Sequence, residues 1–327
     1  MPVDAVVIDG RPGLLWMDLR DVSFTEPFFQ QTVDRVRADH PDRGERFTGF
    51  DELLPFEKSI ESVAPTGFIF HSSRCGSTLL ANACRAIDDS IVLSEANAID
   101  KLVARFITDA SDTIKESLYS VFLRAVVNAL AQRRTGNERR LFIKFSCCSI
   151  SQLERIKRLW PTVPRIFLYR DPVETIVSNM TTVPTWLLDE DHRILAHITG
   201  AAPAEIAEMS LEERCARSIG SFYATAARAH TLANSNSMLL NYNQLSVPAL
   251  ISILSFFKVE VSSKGLERIA SGSRIYSKEA AGTREFSPDT DTKQRDASDL
   301  VRKMAERWAI EPYHLLEGSR NTGHELN

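Results

Sequence analysis

The segment Phe68-Ile-Phe-His-Ser-Ser-Arg-Cys-Gly-Ser-Thr-Leu-Leu-Ala-Asn-Ala passes from a buried-type strand through small polar residues into a helix. Such a junction suits an anion. Small side chains let the backbone N–H groups of Arg74 to Thr78 converge on a phosphate or sulfate, the helix start adds partial positive charge, and Arg74 adds a full one. Ser77 and Thr78 can donate hydroxyl hydrogen bonds and cap the helix. An ordinary strand-to-helix turn with hydroxyl capping would have the same composition. A nucleoside-triphosphate loop of the G-x-x-x-x-G-K-[ST] type needs a second glycine and a lysine, and this segment has neither. Downstream, Pro164-Arg-Ile-Phe-Leu-Tyr-Arg-Asp-Pro-Val-Glu-Thr-Ile-Val-Ser-Asn-Met has the same strand-to-helix form. A strand-terminal Arg170 can clamp a phosphate, Pro172 starts the helix, and Ser178 two turns along faces the same crevice. The structural alternatives are a salt bridge from Arg170 to Asp171 or Glu174 and a plain surface hydroxyl at Ser178.

These groups need a scaffold, and the pattern between Thr66 and the C-terminal third supplies one. Short apolar runs at 67–71, 90–94, 141–145, 164–169 and 237–241 alternate with helical stretches at 76–86, 98–131 (broken near Ser111), 149–160, 172–180 and 211–234. Alternation of this kind is how consecutive βαβ units read, and strands without strict polar alternation suit a parallel sheet covered on both faces. The fold class expected is α/β, a three-layer α/β/α arrangement around a parallel sheet of about five strands. Helices are also expected at 248–257 and 296–309. Residues 1–64 differ in texture and read as an N-terminal appendage to a domain over 65–327.

Composition narrows the function classes. The chain has 327 residues, 43% of them hydrophobic, enough for a sizeable core. Thirty-nine Lys+Arg against 43 Asp+Glu give a net charge of −4, which argues against a general grip on nucleic acid or anionic membrane. Any anion must be held locally. No apolar run is long enough to span a bilayer and no signal-peptide pattern opens the sequence, so a cytoplasmic protein is expected. The five cysteines lack CxxC spacing and read as reduced thiols, with Cys147-Cys148 as a less favoured redox pair.

The loop Ser73-Arg-Cys-Gly-Ser-Thr-Leu-Leu resembles the Pro-Arg-Ser-Gly-Ser-Thr-Leu-Leu loop of sulfotransferases, with Ser73 and Cys75 as departures that remove no backbone donor. The segment around Arg170 is similar to the same family's 3′-phosphate motif, in which a serine follows the arginine by eight residues. The resemblance covers about residues 66 to 280. It implies that Ser73, Arg74, Cys75, Gly76, Ser77 and Thr78 hold the 5′-phosphosulfate of 3′-phosphoadenosine 5′-phosphosulfate, and that Arg170 and Ser178 hold its 3′-phosphate. The family's C-terminal signature has no clear counterpart; Lys278 is the nearest candidate for a further 3′-phosphate ligand. Asn243 stands where the family commonly has Glu.

Sulfuryl transfer is in-line between two oxygens, so catalysis is mainly positioning and charge stabilisation, plus removal of the acceptor's proton. Many family members use a His at the end of the third strand, where this chain reads Phe142-Ile-Lys144-Phe-Ser-Cys-Cys, without one. Other branches use a Glu after the second strand, which points to Glu95 as general base. Lys144 is then the candidate for stabilising the leaving oxygen. The structural alternatives are a helix-start carboxylate for Glu95 and a snorkelling strand-end lysine for Lys144. His71 reads as a core residue of its strand.

The function expected is therefore sulfuryl transfer from the phosphosulfate donor to a hydroxyl or amine of a small acceptor, without a metal. Two other classes stay open: a P-loop kinase-like phosphotransferase using Mg-ATP with Asp171 as metal ligand, and a non-catalytic nucleotide-binding protein of the same fold. Trp186, His192 and His197 are candidates to line the acceptor pocket. The first 64 residues are candidates to cover that pocket or to form a homodimer.

Overall fold

The computed structural model describes residues 1–57, 61–108, 113–231, 236–273 and 289–321. Its strands are Pro2–Ile8 (β1), Arg11–Trp16 (β2), Arg46–Gly49 (β3), Pro65–His71 (β4), Ser90–Ser94 (β5), Arg140–Lys144 (β6), Arg165–Tyr169 (β7) and Ser237–Asn241 (β8). The last five form the expected parallel sheet, in the order β5-β6-β4-β7-β8, flanked by helices. Ser90 pairs with Arg140 and Ser94 with Lys144; Arg165 pairs with Ser237 and Tyr169 with Asn241. Every residue of β7 is buried, as a strand covered on both faces requires.

The helices, in chain order, are Phe29–Asp39 (α1), Phe50–Glu57 (α2), Ser77–Arg85 (α3), Asn97–Thr108 (α4), Thr113–Leu130 (α5), Leu153–Leu159 (α6), Pro172–Thr181 (α7), Arg193–Thr199 (α8) and Pro203–Glu208 (α9). Then follow Leu211–Thr231 (α10), Val247–Phe256 (α11), Ser263–Gly272 (α12), Thr290–Asp296 (α13), Asp299–Trp308 (α14) and Ile310–Asn321 (α15). The stretch expected to break near Ser111 is the pair α4 and α5; Ser111 itself lies outside the described residues. Among the described residues no helix is long and apolar enough to cross a membrane.

The chain divides into two compact units. The first comprises Met1–Phe68, Thr78–Ser146 and Phe257–Phe286. Here the opening residues form an antiparallel sheet, β1-β2-β3. Its first turn is Asp9-Gly10, with φ of 50° and 76°, the two left-handed residues that a tight hairpin demands. Lys101 on α4 bonds Asp4 of β1 at 2.7 Å, and Phe50 of α2 stacks on Phe122 of α5 with ring centroids 4.4 Å apart. The segment expected as an appendage is thus joined to α4 and α5 by both charge and aromatic contact.

The second unit comprises Ile69–Ser77, Cys147–Phe256 and Ser287–Asn327. Its long helix α10 packs against α7, α14 and α15. Gly220 permits this. A methyl group there would sit 2.1 Å from the Trp308 carbonyl oxygen, closer than any side chain tolerates. Tyr169, Tyr223 and Tyr313 pack edge to ring, and Glu317 accepts hydrogen bonds from Tyr169 and Asn241, so the carboxyl ends of β7 and β8 are tied to α15.

Candidate functional site

The loop between β4 and α3 is held in an unusual backbone conformation. Ser73, Arg74 and Gly76 have φ of 74°, 50° and 82°. Over Arg74, Cys75 and Gly76 the hand alternates, which turns successive N–H groups toward a common concavity. Left-handed geometry costs a non-glycine residue on the order of 1 kcal/mol or more, so it persists only where neighbours fix it. Three side chains do so. Ser73 Oγ donates to Asn179 Oδ1 at 3.0 Å, Arg74 Nη2 donates to the Thr182 carbonyl at 2.7 Å, and Cys75 Sγ lies 3.2 Å from the Leu168 carbonyl. The Ser73 amide donates to His71 Nδ1 at 3.1 Å. His71 is buried at the end of β4, as expected.

Arg74 therefore points its guanidinium at the C-terminal end of α7, where a cation meets the negative end of the helix dipole. Its contribution to the loop is an anchor as well as a charge. Ser77 and Thr78 are both buried at the start of α3.

Arg170 directly follows β7 and is 3% exposed. Its Nε donates to Glu174 Oε2 at 2.6 Å, one of the two structural alternatives anticipated, and its Nη2 donates to Asp289 Oδ1 at 2.7 Å. Burial opposes its charge, and the bonds from Asp289 and Glu174 more than offset this, holding the guanidinium above its usual value. Asp171 caps α7 by accepting from the Glu174 amide, and Gln294 donates to the same carboxylate oxygen. Ser178 lies half-buried on α7.

One ring joins the two motifs. A Cβ placed on Gly76 would stand 3.2 Å from Tyr242 Cδ2 and 2.4 Å from Leu245 Cδ1, and the Arg170 guanidinium lies 4.0 Å from the Tyr242 ring centroid. The phosphate-type loop and the strand-terminal arginine thus flank one tyrosine, and the strand-end arginine and the loop glycine belong to one neighbourhood.

In the first unit, the carboxyl ends of β5 and β6 bring Glu95 and Lys144 together. The Glu95 amide donates to the Lys144 carbonyl at 2.8 Å, and the Lys144 ammonium is in close contact with the Glu95 carboxylate. Lys144 is 1% exposed and sits 4.8 Å from the centroid of the Phe28 ring, while Glu95 retains 30% exposure in a left-handed backbone conformation, φ 52°. Asp100 of α4 completes the group. Its half-buried carboxylate accepts from the Ser146 amide at 3.2 Å; burial first, and the Glu95 charge second, push it up to about 7.

The sequence reading overlooked Asn179, Tyr242 and Asp289. Asn179 carried a signal: it continues the buried face of α7 after Thr175 and Ile176, where an amide needs a partner. Asp289 carried none, being 119 residues from Arg170. Lys278 lies outside the described residues. Of the acceptor-pocket candidates, Trp186 packs on the cluster of Leu195, Ala201, Ile206 and Met209, and His197 Nε2 bonds Gln152 at 2.9 Å.

No family model and no curated protein matches the chain. Solved structures do. The chain is similar to the sulfotransferase domain from the Synechococcus PCC 7002 olefin synthase, at 16% identity over 79% of this chain and 95% of that one, with a TM-score of 0.42. It is similar at the same identity, coverage of this chain and TM-score to the sulfotransferase domain from the curacin biosynthetic pathway, covering 98% of that chain. Mouse sulfotransferase SULT7A1, solved in complex with PAP, matches at 14% identity over 84% of this chain and 89% of that one, with a TM-score of 0.38.

Proposed function

We propose that this chain is a sulfotransferase that moves a sulfuryl group from 3′-phosphoadenosine 5′-phosphosulfate to a hydroxyl or amine of a small acceptor. The observation that carries it is the shared ring of Tyr242, with the left-handed loop at Gly76 on one side and the Arg170 guanidinium on the other. A nucleotide with phosphate at both its 5′ and 3′ positions needs two such sites. The loop amides of Arg74 to Thr78 take the 5′-phosphosulfate; Arg170 and Ser178 take the 3′-phosphate. Arg170 keeps its position through Glu174 and Tyr242 while it exchanges Asp289 for phosphate.

In the transfer itself, the acceptor oxygen or nitrogen attacks sulfur in line as the bond from sulfur to the bridging phosphate oxygen breaks. Glu95 accepts the acceptor's proton, and Lys144 supplies positive charge for the oxygen that leaves. The ion pair orients Glu95, whose partly exposed carboxylate is the reachable member of the pair. Asp171, the metal ligand a kinase would need, is occupied as the cap of α7 and by Gln294.

Isothermal titration with 3′,5′-adenosine bisphosphate against Mg-ATP tests the donor class. Tight binding of the bisphosphate with no measurable heat from ATP is expected; the reverse preference would replace the proposal with phosphoryl transfer. Release of the bisphosphate from the phosphosulfate donor in the presence of chelator and a panel of phenols, alcohols and amines tests the reaction.

A further inference from the structure

β5 is an outer strand of the sheet, and Ser90–Leu93 on it line a cavity of about 90 Å³ in the first unit, together with Met1, Phe24, Arg85 and Arg134. One water needs roughly 10–15 Å³ by the same measure, so there is room for a four-oxygen anion. The cavity runs along the strand, whereas Glu95 lies beyond its end.

Among the described residues no carboxylate pairs directly with the charge in this cavity. Arg85 Nη1 donates to the Asn82 side-chain oxygen at 2.5 Å, and Arg134 Nη1 donates to the Val22 carbonyl at 3.2 Å. Both acceptors are neutral. Among the described residues neither guanidinium has a carboxylate within ion-pair reach: Glu26 is taken by Arg35 and Thr32, and Glu138 by the amides of Arg134 and Thr135. Arg134 Nε and Ser90 Oγ are buried without a hydrogen-bond partner. The Phe24 ring, 4.3 Å from the Arg134 guanidinium carbon, fixes that side chain from one face. Leaving a buried donor unbonded, or a buried charge unpaired, is costly unless something else supplies the counter-charge. Burial accordingly lowers both arginines from their usual value.

We propose that this cavity is a binding site for a doubly charged tetrahedral oxyanion, sulfate or phosphate, held by Arg85 and Arg134 with Ser90 Oγ as a further donor. Two single positive charges call for a dianion, and the guanidinium fork matches tetrahedral oxyanions in shape. None of its residues is among those proposed for the nucleotide.

The test is titration of the full chain with sodium sulfate and sodium phosphate in chloride buffer of matched ionic strength, with saturating 3′,5′-adenosine bisphosphate present to occupy the loop and Arg170. One saturable site is expected, weakened at least tenfold by either Arg85→Gln or Arg134→Gln. Sulfate and phosphate arms with unequal affinities would identify the preferred anion. No saturable binding beyond the chloride control, or wild-type affinity in both variants, would overturn the proposal. If either variant fails to fold, anomalous diffraction from wild-type crystals soaked in selenate decides: a peak against Arg85 and Arg134 supports the site, and its absence at saturating selenate removes it.

Discussion

Asp289 is an ion-pair partner of Arg170, its Oδ1 standing 2.7 Å from Nη2, and Lys293 steadies the same carboxylate at 2.6 Å through Oδ2. The aspartate is 45% exposed while the arginine is almost wholly enclosed. A 3′-phosphate approaching Arg170 must therefore displace a carboxylate that solvent can readily receive. Asp289→Asn should tighten 3′,5′-adenosine bisphosphate three- to tenfold, about 1 kcal/mol, the scale of a partly exposed charge pair. Calorimetric titration reads this directly; an unchanged dissociation constant would mean that the nucleotide does not compete for Arg170.

Arg170→Ala should act in the opposite sense, weakening the bisphosphate by about 2 kcal/mol or more through loss of a charge-assisted bond. It also leaves Glu174 buried without its cation, so the melting temperature must be followed alongside. Unimpaired affinity in a folded variant would defeat the 3′-phosphate assignment.

Asn179→Ala removes the acceptor for both Ser73 Oγ and Arg74 Nε and leaves the Ser73 hydroxyl buried and unpaired. A loss of roughly 1–3 kcal/mol in denaturant unfolding is expected. Because the left-handed loop depends on that anchor, nucleotide affinity should fall further than stability alone explains. Full affinity in a destabilised variant would show that the loop keeps its form without Asn179.

How far these relationships were legible in the sequence depends on how local their causes are. All five sheet strands could be placed within about two residues, because fully covered parallel strands leave short uninterrupted apolar runs bounded by polar turns. The opening antiparallel sheet went unread although Asp9-Gly10 is a recognised hairpin signal; the flanking runs are half-exposed and weakly alternating. Within the candidate site, Gly76 and Arg170 could be singled out by type and spacing, and Glu95 with Lys144 through the family resemblance. Tyr242 and Asp289 meet Arg170 only through tertiary folding, and no local pattern announces a partner so far along the chain.

Asp100 predicts a pH dependence. Its folded value of about 7 lies above the ordinary carboxyl value of 3.8, so the folded protein binds its proton more tightly than the unfolded chain does. Its contribution is favourable at low pH and is lost as pH rises from about 4 through 7. Asp100→Asn, which keeps an oxygen for the Ser146 amide, should remove that loss. The variant should melt several degrees above wild type at pH 8, and the difference should shrink by pH 5. Parallel melting curves across that range would remove Asp100 as a buried acid.

Glu95→Gln separates chemistry from binding. The amide keeps the shape of the side chain and can still accept a hydrogen bond from Lys144, but it cannot take a proton from the acceptor. Lys144, nearly inaccessible, loses its counter-charge, and breaking such a pair costs stability, up to about 3–5 kcal/mol when both members are fully buried and less here because Glu95 is partly exposed. Assays must therefore run well below the variant's melting temperature. Bisphosphate affinity should stay within about threefold of wild type, since the loop and Arg170 are untouched, while turnover of the phosphosulfate donor falls by two orders of magnitude or more, the usual worth of a positioned base. A folded variant that turns over at the wild-type rate would move the base elsewhere and leave Glu95 as the structural counterion of Lys144.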